Sequence, residues 1–286
     1  MYKVGQIGPN SNTLNISVTL LCVTPQAMIE NFHETLFPVL QNFLMVIYDI
    51  GLEESQRREM EKHCRCKVVT FPFDMVPDHA REILCYAWKP FILAAHLEQA
   101  EVLMWADASV RFINPQNIPT IIQRTKERGI QQKTVERSHP LPFYTIPMIF
   151  EHFQDSPCAY MSFQMVEANF MLFHREPLIR RAVIQPLLAC AGRPDCMCPP
   201  EFTGRKFCQF IRQPLDTIGL SNCFDQSALT LILAKLFREK YEHFIVDTSY
   251  VQETHRGDRR DYFKELEERA PSGLSEGGNR LETDQK

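Results

Sequence analysis

Nothing in this 286-residue chain approaches the roughly 18 consecutive apolar residues needed to cross a bilayer. The most apolar early stretch, Ser17 to Val23, is strand-length and too short for a signal core. An excess of positive charge is also missing. The formal net charge is −4, and the densest basic cluster, Arg256, Arg259 and Arg260, is diluted by Asp258 and Asp261. That leaves no footprint for nucleic acid, whose binding domains are normally basic. There is no phosphate-binding P-loop, no G-x-G-x-x-G after the first strand, no G-x-S-x-G elbow and no H-E-x-x-H pair. Internal repeats are lacking as well. As it stands the chain reads as soluble, with membrane attachment left to an anchor outside this sequence.

Hydrophobic residues make up 44% of the chain and charged residues 23%, an ordinary globular balance that argues against global disorder. Ten cysteines are many for a cytosolic protein of this size. Cys190, Cys196, Cys198 and Cys208 crowd into one stretch, which favours disulfides in an oxidising compartment over buried thiols or zinc. The C-x5-C-x-C-x9-C spacing lacks the C-x2-C knuckles of structural zinc. One glycosylation sequon, Asn15-Ile16-Ser17, is compatible with secretion.

Residues 1–15 read as a loose lead-in, 16–255 as one domain, and 268–286 as a disordered tail poor in apolar residues. Within the domain, apolar β-branched runs at 17–23, 43–48, 67–73 and 102–105 predict strands. They alternate with helical patterns at 26–37, 53–63 and 80–100, the last interrupted at Pro90. Residues 131–157, rich in proline, read as an irregular connection. A strand at 169–173, helices at 178–191 and 225–238, and a last strand at 241–246 complete the prediction. In the later helix Ala228, Leu229, Leu231, Ile232, Leu233 and Leu236 are expected to pack inward. The alternation demands an α/β fold, a Rossmann-type sandwich with a mostly parallel sheet between helices. Ligands in such folds sit beyond the carboxyl ends of the strands, where strand order reverses. That rule singles out Thr24, Asp49, Phe73 and above all Asp107.

Asp107, in Trp105-Ala-Asp-Ala-Ser109, can face the crevice and hold a divalent cation, Mn²⁺ or Mg²⁺, bridging two phosphates. Nucleotide-sugar transferases often place two carboxylates one residue apart here, but position 109 is Ser, a poor ligand for a hard cation. The plainer alternative makes Asp107 a turn cap. Asp225 is placed as an N-cap, or as a carboxylate that binds the donor sugar or deprotonates an acceptor hydroxyl. Glu167 is the other candidate base, and Gln164 and Asn169 can hydrogen-bond sugar hydroxyls. Lys89 can pair with a phosphate or serve a structural pair. His255 offers a nitrogen ligand to the same metal, or is an ordinary loop histidine.

Tyr48-Asp-Ile-Gly-Leu52, Tyr86-Ala-Trp-Lys-Pro90, Trp105-Ala-Asp-Ala-Ser-Val110, Cys198-Pro199 and Phe224-Asp-Gln-Ser-Ala-Leu229 occur in that order. Together they resemble a family of animal proteins with Y-D-x-G-L, Y-x-W-K-P, D-S-S-V and D-Q-S-A-L blocks, over about residues 17 to 240. That family is similar to nucleotide-diphospho-sugar transferases of the GT-A type, often anchored to face the Golgi lumen. The resemblance implies a shortened metal motif at Asp107 and Ser109 and a donor-binding block at Asp225 and Gln226. Ala108 stands where the family usually has serine. The implied activity is transfer of a sugar, most readily from a UDP-sugar, to a glycan or protein acceptor in the secretory pathway. The rivals are a non-catalytic luminal or secreted binding protein and a cytosolic nucleotidyltransferase. Asp107→Ala is expected to abolish donor hydrolysis and leave the melting temperature nearly unchanged.

Overall fold

A computed structural model describes residues 16–22, 29–30, 32–40, 43–134, 140–200, 223–245, 252–254, 264 and 268. His255, Thr24, Cys208, Asn15, the lead-in and the tail lie outside the described residues, except for Glu268.

Six strands form the central sheet: β1 (Ile16–Cys22), β2 (Phe43–Asp49), β3 (Lys67–Thr70), β4 (Val102–Asp107), β6 (Ile130–Thr134) and β7 (Val166–His174). Their order is β3-β2-β1-β4-β7-β6. The pairs β1–β2, β2–β3 and β1–β4 are parallel, while β7 runs antiparallel to both β4 and β6. The chain therefore leaves β1 toward β2 and β3 and returns to β4 on the other side. That reversal is the switch point at which α/β sheets open a ligand crevice, and Asp107, in register with Leu21, stands at its mouth.

Side-chain alternation with period 2 splits the core between the two faces. Val46, Tyr48, Leu103, Trp105, Met171 and Phe173 belong to one apolar cluster; Met45, Ile47, Val102, Met104, Phe170 and Leu172 belong to the other. The first face is covered by α2 (Lys89–Leu97), α5 (Gln185–Ala191) and α6 (Asp225–Phe237). The second is covered in part by α3 (Ile118–Arg128) and by the π-helical turn Phe32–Leu36. Helix α1 (Glu54–His63) starts with a reciprocal capping box between Glu53 and Gln56. The short helix α4 (Pro147–His152) packs on the first face. None of the described helices is long and apolar enough to cross a membrane.

Several expectations need correction. The long helix over 80–100 is two 3₁₀ turns, Asp78–Arg81 and Ile83–Cys85, followed by α2. Pro90 lies in the first turn of α2 rather than interrupting a longer helix, because a first-turn residue has no N–H bond to lose. The proline-rich connection begins with a strand, β6, whose residues alternate too little to show period 2. Residues 238–244 form a 3₁₀ turn rather than a strand, and Ile245 makes one isolated bridge to Gln132. A final strand, β8 (Gln252–Thr254), pairs instead with β5 (Val110–Phe112) in a separate ribbon. Leu236 is 40% exposed and is not part of the core.

Three disulfides join Cys64 to Cys66, Cys85 to Cys198 and Cys190 to Cys196, and Cys223 is also disulfide-bonded. Cys158 is a free, exposed thiol.

Candidate active site

The candidate site is built around a buried ammonium. Lys89 is the first residue of α2, and its Nζ lies 2.9 Å from Asp225 Oδ2 and 3.4 Å from Asp107 Oδ1. It also donates to the Ala168 carbonyl at 3.0 Å. Tyr86, Trp88 and Trp105 surround it, their ring centroids 5.4, 5.9 and 5.2 Å from Nζ. Burial alone would favour the neutral amine. The charges of Asp107 and Asp225 outweigh it, so the ammonium is held above the ordinary lysine value. Lys89 thus serves as an internal counter-ion, its donors already engaged. A phosphate would have to displace one of them.

Asp225 is the first helical residue of α6, not its cap; Phe224 occupies the cap position. Its side chain is 8% exposed. Burial pushes the carboxyl pKa upward, and the adjacent Lys89 charge opposes that push without cancelling it. Gln226, next along, is half-buried, and its Nε2 has no partner among the described residues.

Asp107 has the open carboxylate. Its side chain is 28% exposed, and Oδ1 accepts from the Trp105 indole N–H at 2.7 Å as well as from Lys89. Both contacts use one oxygen, so the other can face the crevice. Ser109 sits in the turn between β4 and β5. Because β7 is antiparallel to β4, its first residues meet the last residues of β4. Continuing the register one step past Ala106–Phe170 sets Asp107 across from Asn169. Glu167 and Asn169 share a strand face and are both partly open. Adjacent strands lie about 4.8 Å apart, so Asp107, Asn169 and Glu167 occupy one edge of one face.

Two candidates stand apart. Asp49 ends β2, two strands from β4, and its Oδ1 accepts from the Gly51 and Leu52 amides at 2.9 and 2.8 Å. Its Oδ2 pairs with Arg57 at 2.9 Å. Burial pushes its pKa up, but the two amides and Arg57 carry it below the usual value. This carboxylate holds a turn. Gln164 is exposed, and its carbonyl accepts from the Tyr241 hydroxyl at 2.8 Å.

Sequence reasoning missed how the lysine is held. Tyr86 and Phe224 have left-handed backbones, with φ of 55° and 47°. Such a conformation is uncommon for bulky residues and costs on the order of 1–3 kcal/mol each. Each directly follows a disulfide-bonded cysteine, Cys85 and Cys223. Their rings lie 6.3 Å apart, and one precedes Asp225 while the other faces Lys89. The one signal in the sequence was the aromatic-lysine block Tyr86-Ala-Trp-Lys89.

Divalent metal chemistry can be tested against these residues. Among the described residues no group of three or more His, Cys, Asp or Glu side chains could hold an ion. Asp225 is committed to Lys89. Asp107 alone remains, which suits only an ion held chiefly by phosphate oxygens, the usual arrangement for Mg²⁺.

No protein-family model matches the chain, and no curated protein matches it. Solved structures do. The galactosyltransferase LgtC, crystallised with donor and acceptor sugar analogs, is 11% identical with a TM-score of 0.42, covering 80% of this chain and 72% of its own. Mouse xyloside xylosyltransferase 1 in its apo form is 10% identical with a TM-score of 0.44, covering 83% and 86%. The glycosyltransferase GlyE of Streptococcus pneumoniae TIGR4 is 11% identical with a TM-score of 0.37, covering 84% and 46%.

Proposed function

We propose that this chain transfers a sugar from a nucleotide-diphospho-sugar, most readily a UDP-sugar, to a hydroxyl of a glycan or protein acceptor. The observation that carries the reading is Asp107: an open carboxylate at the switch point of a parallel sheet, backed by a buried lysine and a second carboxylate. Buried ionic groups and strained backbone concentrate where a fold does chemistry rather than where it only packs. The disulfides favour the oxidising secretory pathway, including the Golgi lumen.

In this reading the Asp107 carboxylate, oriented by Trp105 and Lys89, would hold a divalent cation carried by the donor diphosphate, since the bare carboxylate repels phosphate. Mn²⁺ or Mg²⁺, when bound, would neutralise charge on the leaving diphosphate, with Asp107 as its ligand from the described residues. Asp225 is assigned a positioning role, because its ion pair with buried Lys89 withdraws it from proton transfer. Glu167, on the open edge of β7, takes the acceptor proton as the new glycosidic oxygen–carbon bond forms and the bond to the diphosphate oxygen breaks. Asn169 and Gln226 supply hydrogen bonds to sugar hydroxyls.

A non-catalytic binding protein is the second reading, favoured by the missing second carboxylate at Ser109. Hydrolysis of UDP-sugars separates the two. Asp107→Ala is not the clean probe that sequence suggests, since it would strip the buried Trp105 indole of its acceptor. Asp107→Asn keeps an acceptor oxygen and removes the charge. It is expected to cut turnover by about 10²–10³-fold, the usual cost of losing one electrostatic stabiliser. Unaltered turnover in this variant would refute the role of Asp107. Calorimetric UDP binding without turnover in the parent protein would favour the binding protein.

A further inference from the structure

A hollow lies outside the cluster around Lys89. It has a volume of about 420 Å³ and is lined by Ser162, Phe163, Arg238, Glu239, Tyr241 and Glu242. Its position follows from topology. Residues 162–164 lead into the N-terminal end of β7, and that end lies beside the carboxyl end of β4. The hollow therefore lies between the entry to β7 and the 3₁₀ turn 238–244, which runs into the bridge from Ile245 to Gln132 of β6. Gln164, tied to the hollow by the Tyr241 hydroxyl, is three residues from Glu167. The lining residue nearest to Glu167 along the chain is Phe163, four residues away, and a chain spans at most about 3.6 Å per residue, so their backbones are within about 14 Å.

The lining selects its ligand. Phe163 is half-buried and held edge-on by Tyr241 at 5.4 Å, which presents a fixed apolar surface. Around it stand one guanidinium, two carboxylates and one hydroxyl, all exposed. Arg238 is kept in place by the Tyr160 ring 5.2 Å beneath its guanidinium. Both signs of charge are present, so a phosphate would meet Glu239 and Glu242, and a cation would meet Arg238. A neutral polyol meets no such penalty: its hydroxyls both donate to carboxylates and accept from a guanidinium. Its C–H face can rest on an aromatic ring. The volume falls within the usual range of about 300–1,000 Å³ for small-molecule sites.

We infer that this hollow binds a neutral mono- or disaccharide unit of the acceptor. Calling it an acceptor subsite rests on the transferase reading; the binding of a neutral glycan does not. Glu239 and Glu242 are exposed, so changing both to lysine should leave the fold intact, which an unchanged melting temperature would verify. The experiment is saturation-transfer NMR of the full chain with millimolar lactose, cellobiose and maltotriose, followed by titration of whichever responds. The parent should give signals from at least one of the three, and Glu239→Lys with Glu242→Lys should weaken its binding by about tenfold or more, since two charge-assisted hydrogen bonds are lost. Absence of signal from all three, or undiminished binding in the double variant, overturns the inference. Donor hydrolysis is measured in parallel. Binding without hydrolysis removes the word acceptor and keeps the site, whereas hydrolysis with no glycan signal removes the site and keeps the transferase.

Discussion

Replacing Lys89 with methionine is the most direct test of how the crevice is held. At an effective dielectric constant near 20, unit charges 2.9 and 3.4 Å apart attract by about 6 and 5 kcal/mol before desolvation. Most of that is offset by the cost of burying the charges. The Asp107 contact deserves a further discount because that side chain is 28% exposed. What remains is the penalty of stranding Asp225 as an unpaired buried carboxylate, typically about 3–5 kcal/mol. Urea denaturation of Lys89→Met should therefore show a loss in that range. Adding Asp225→Asn should restore at least about 1–2 kcal/mol, because the stranded charge is gone and the two residues are in contact. If Lys89→Met falls within about 0.5 kcal/mol of the parent, or the second substitution makes it worse, the buried ion pair is not what organises this site.

Acid should weaken the fold through His96. Burial, with Lys67 adding to it, lowers its pKa from 6.5 to about 4. The unfolded chain takes up this proton as pH falls below about 6.5 while the folded chain refuses it until about 4, so stability falls across that window by up to about 3 kcal/mol. His96→Gln should flatten this part of the pH profile. Replacing Cys85 and Cys198 by alanine opens a link spanning 113 residues and should cost about 2–5 kcal/mol in thermal or urea unfolding. Gly129→Ala should destabilise by more than about 1 kcal/mol. Its φ is +88°, and an added Cβ would lie 2.5 Å from Glu176 Oε1 and 3.0 Å from Ile179.

The parallel half of the sheet was legible because buried parallel strands are apolar on both faces, as in Phe43-Leu-Met-Val-Ile-Tyr48. The place of Asp107 at the carboxyl end of β4 followed from the apolar run that precedes it. β6 was not legible: Ile130-Gln-Gln-Lys-Thr134 carries two glutamines that are fully buried in the fold, which sequence patterning counts as polar. Nor was Lys89. A lysine beside tryptophan and proline reads as a surface or phosphate-binding charge, and only the folded chain brings it to residues 107, 168 and 225. Asp49 shows the converse. A carboxylate at a strand end looked like a ligand, but Gly51, Leu52 and Arg57 claim it locally.

Because β7 lies directly against β4 in the opposite direction, the spacing between Asp107 and the residues facing it is set by a hydrogen-bonded ladder rather than by the polypeptide joining them. The intervening stretch, residues 108 to 165, is itself tied to those strands, because it carries β6, which pairs with β7, and α3, which packs against the sheet. Length can therefore change only in the turns between those elements, while the ladder keeps the facing groups of β4 and β7 the same distance apart.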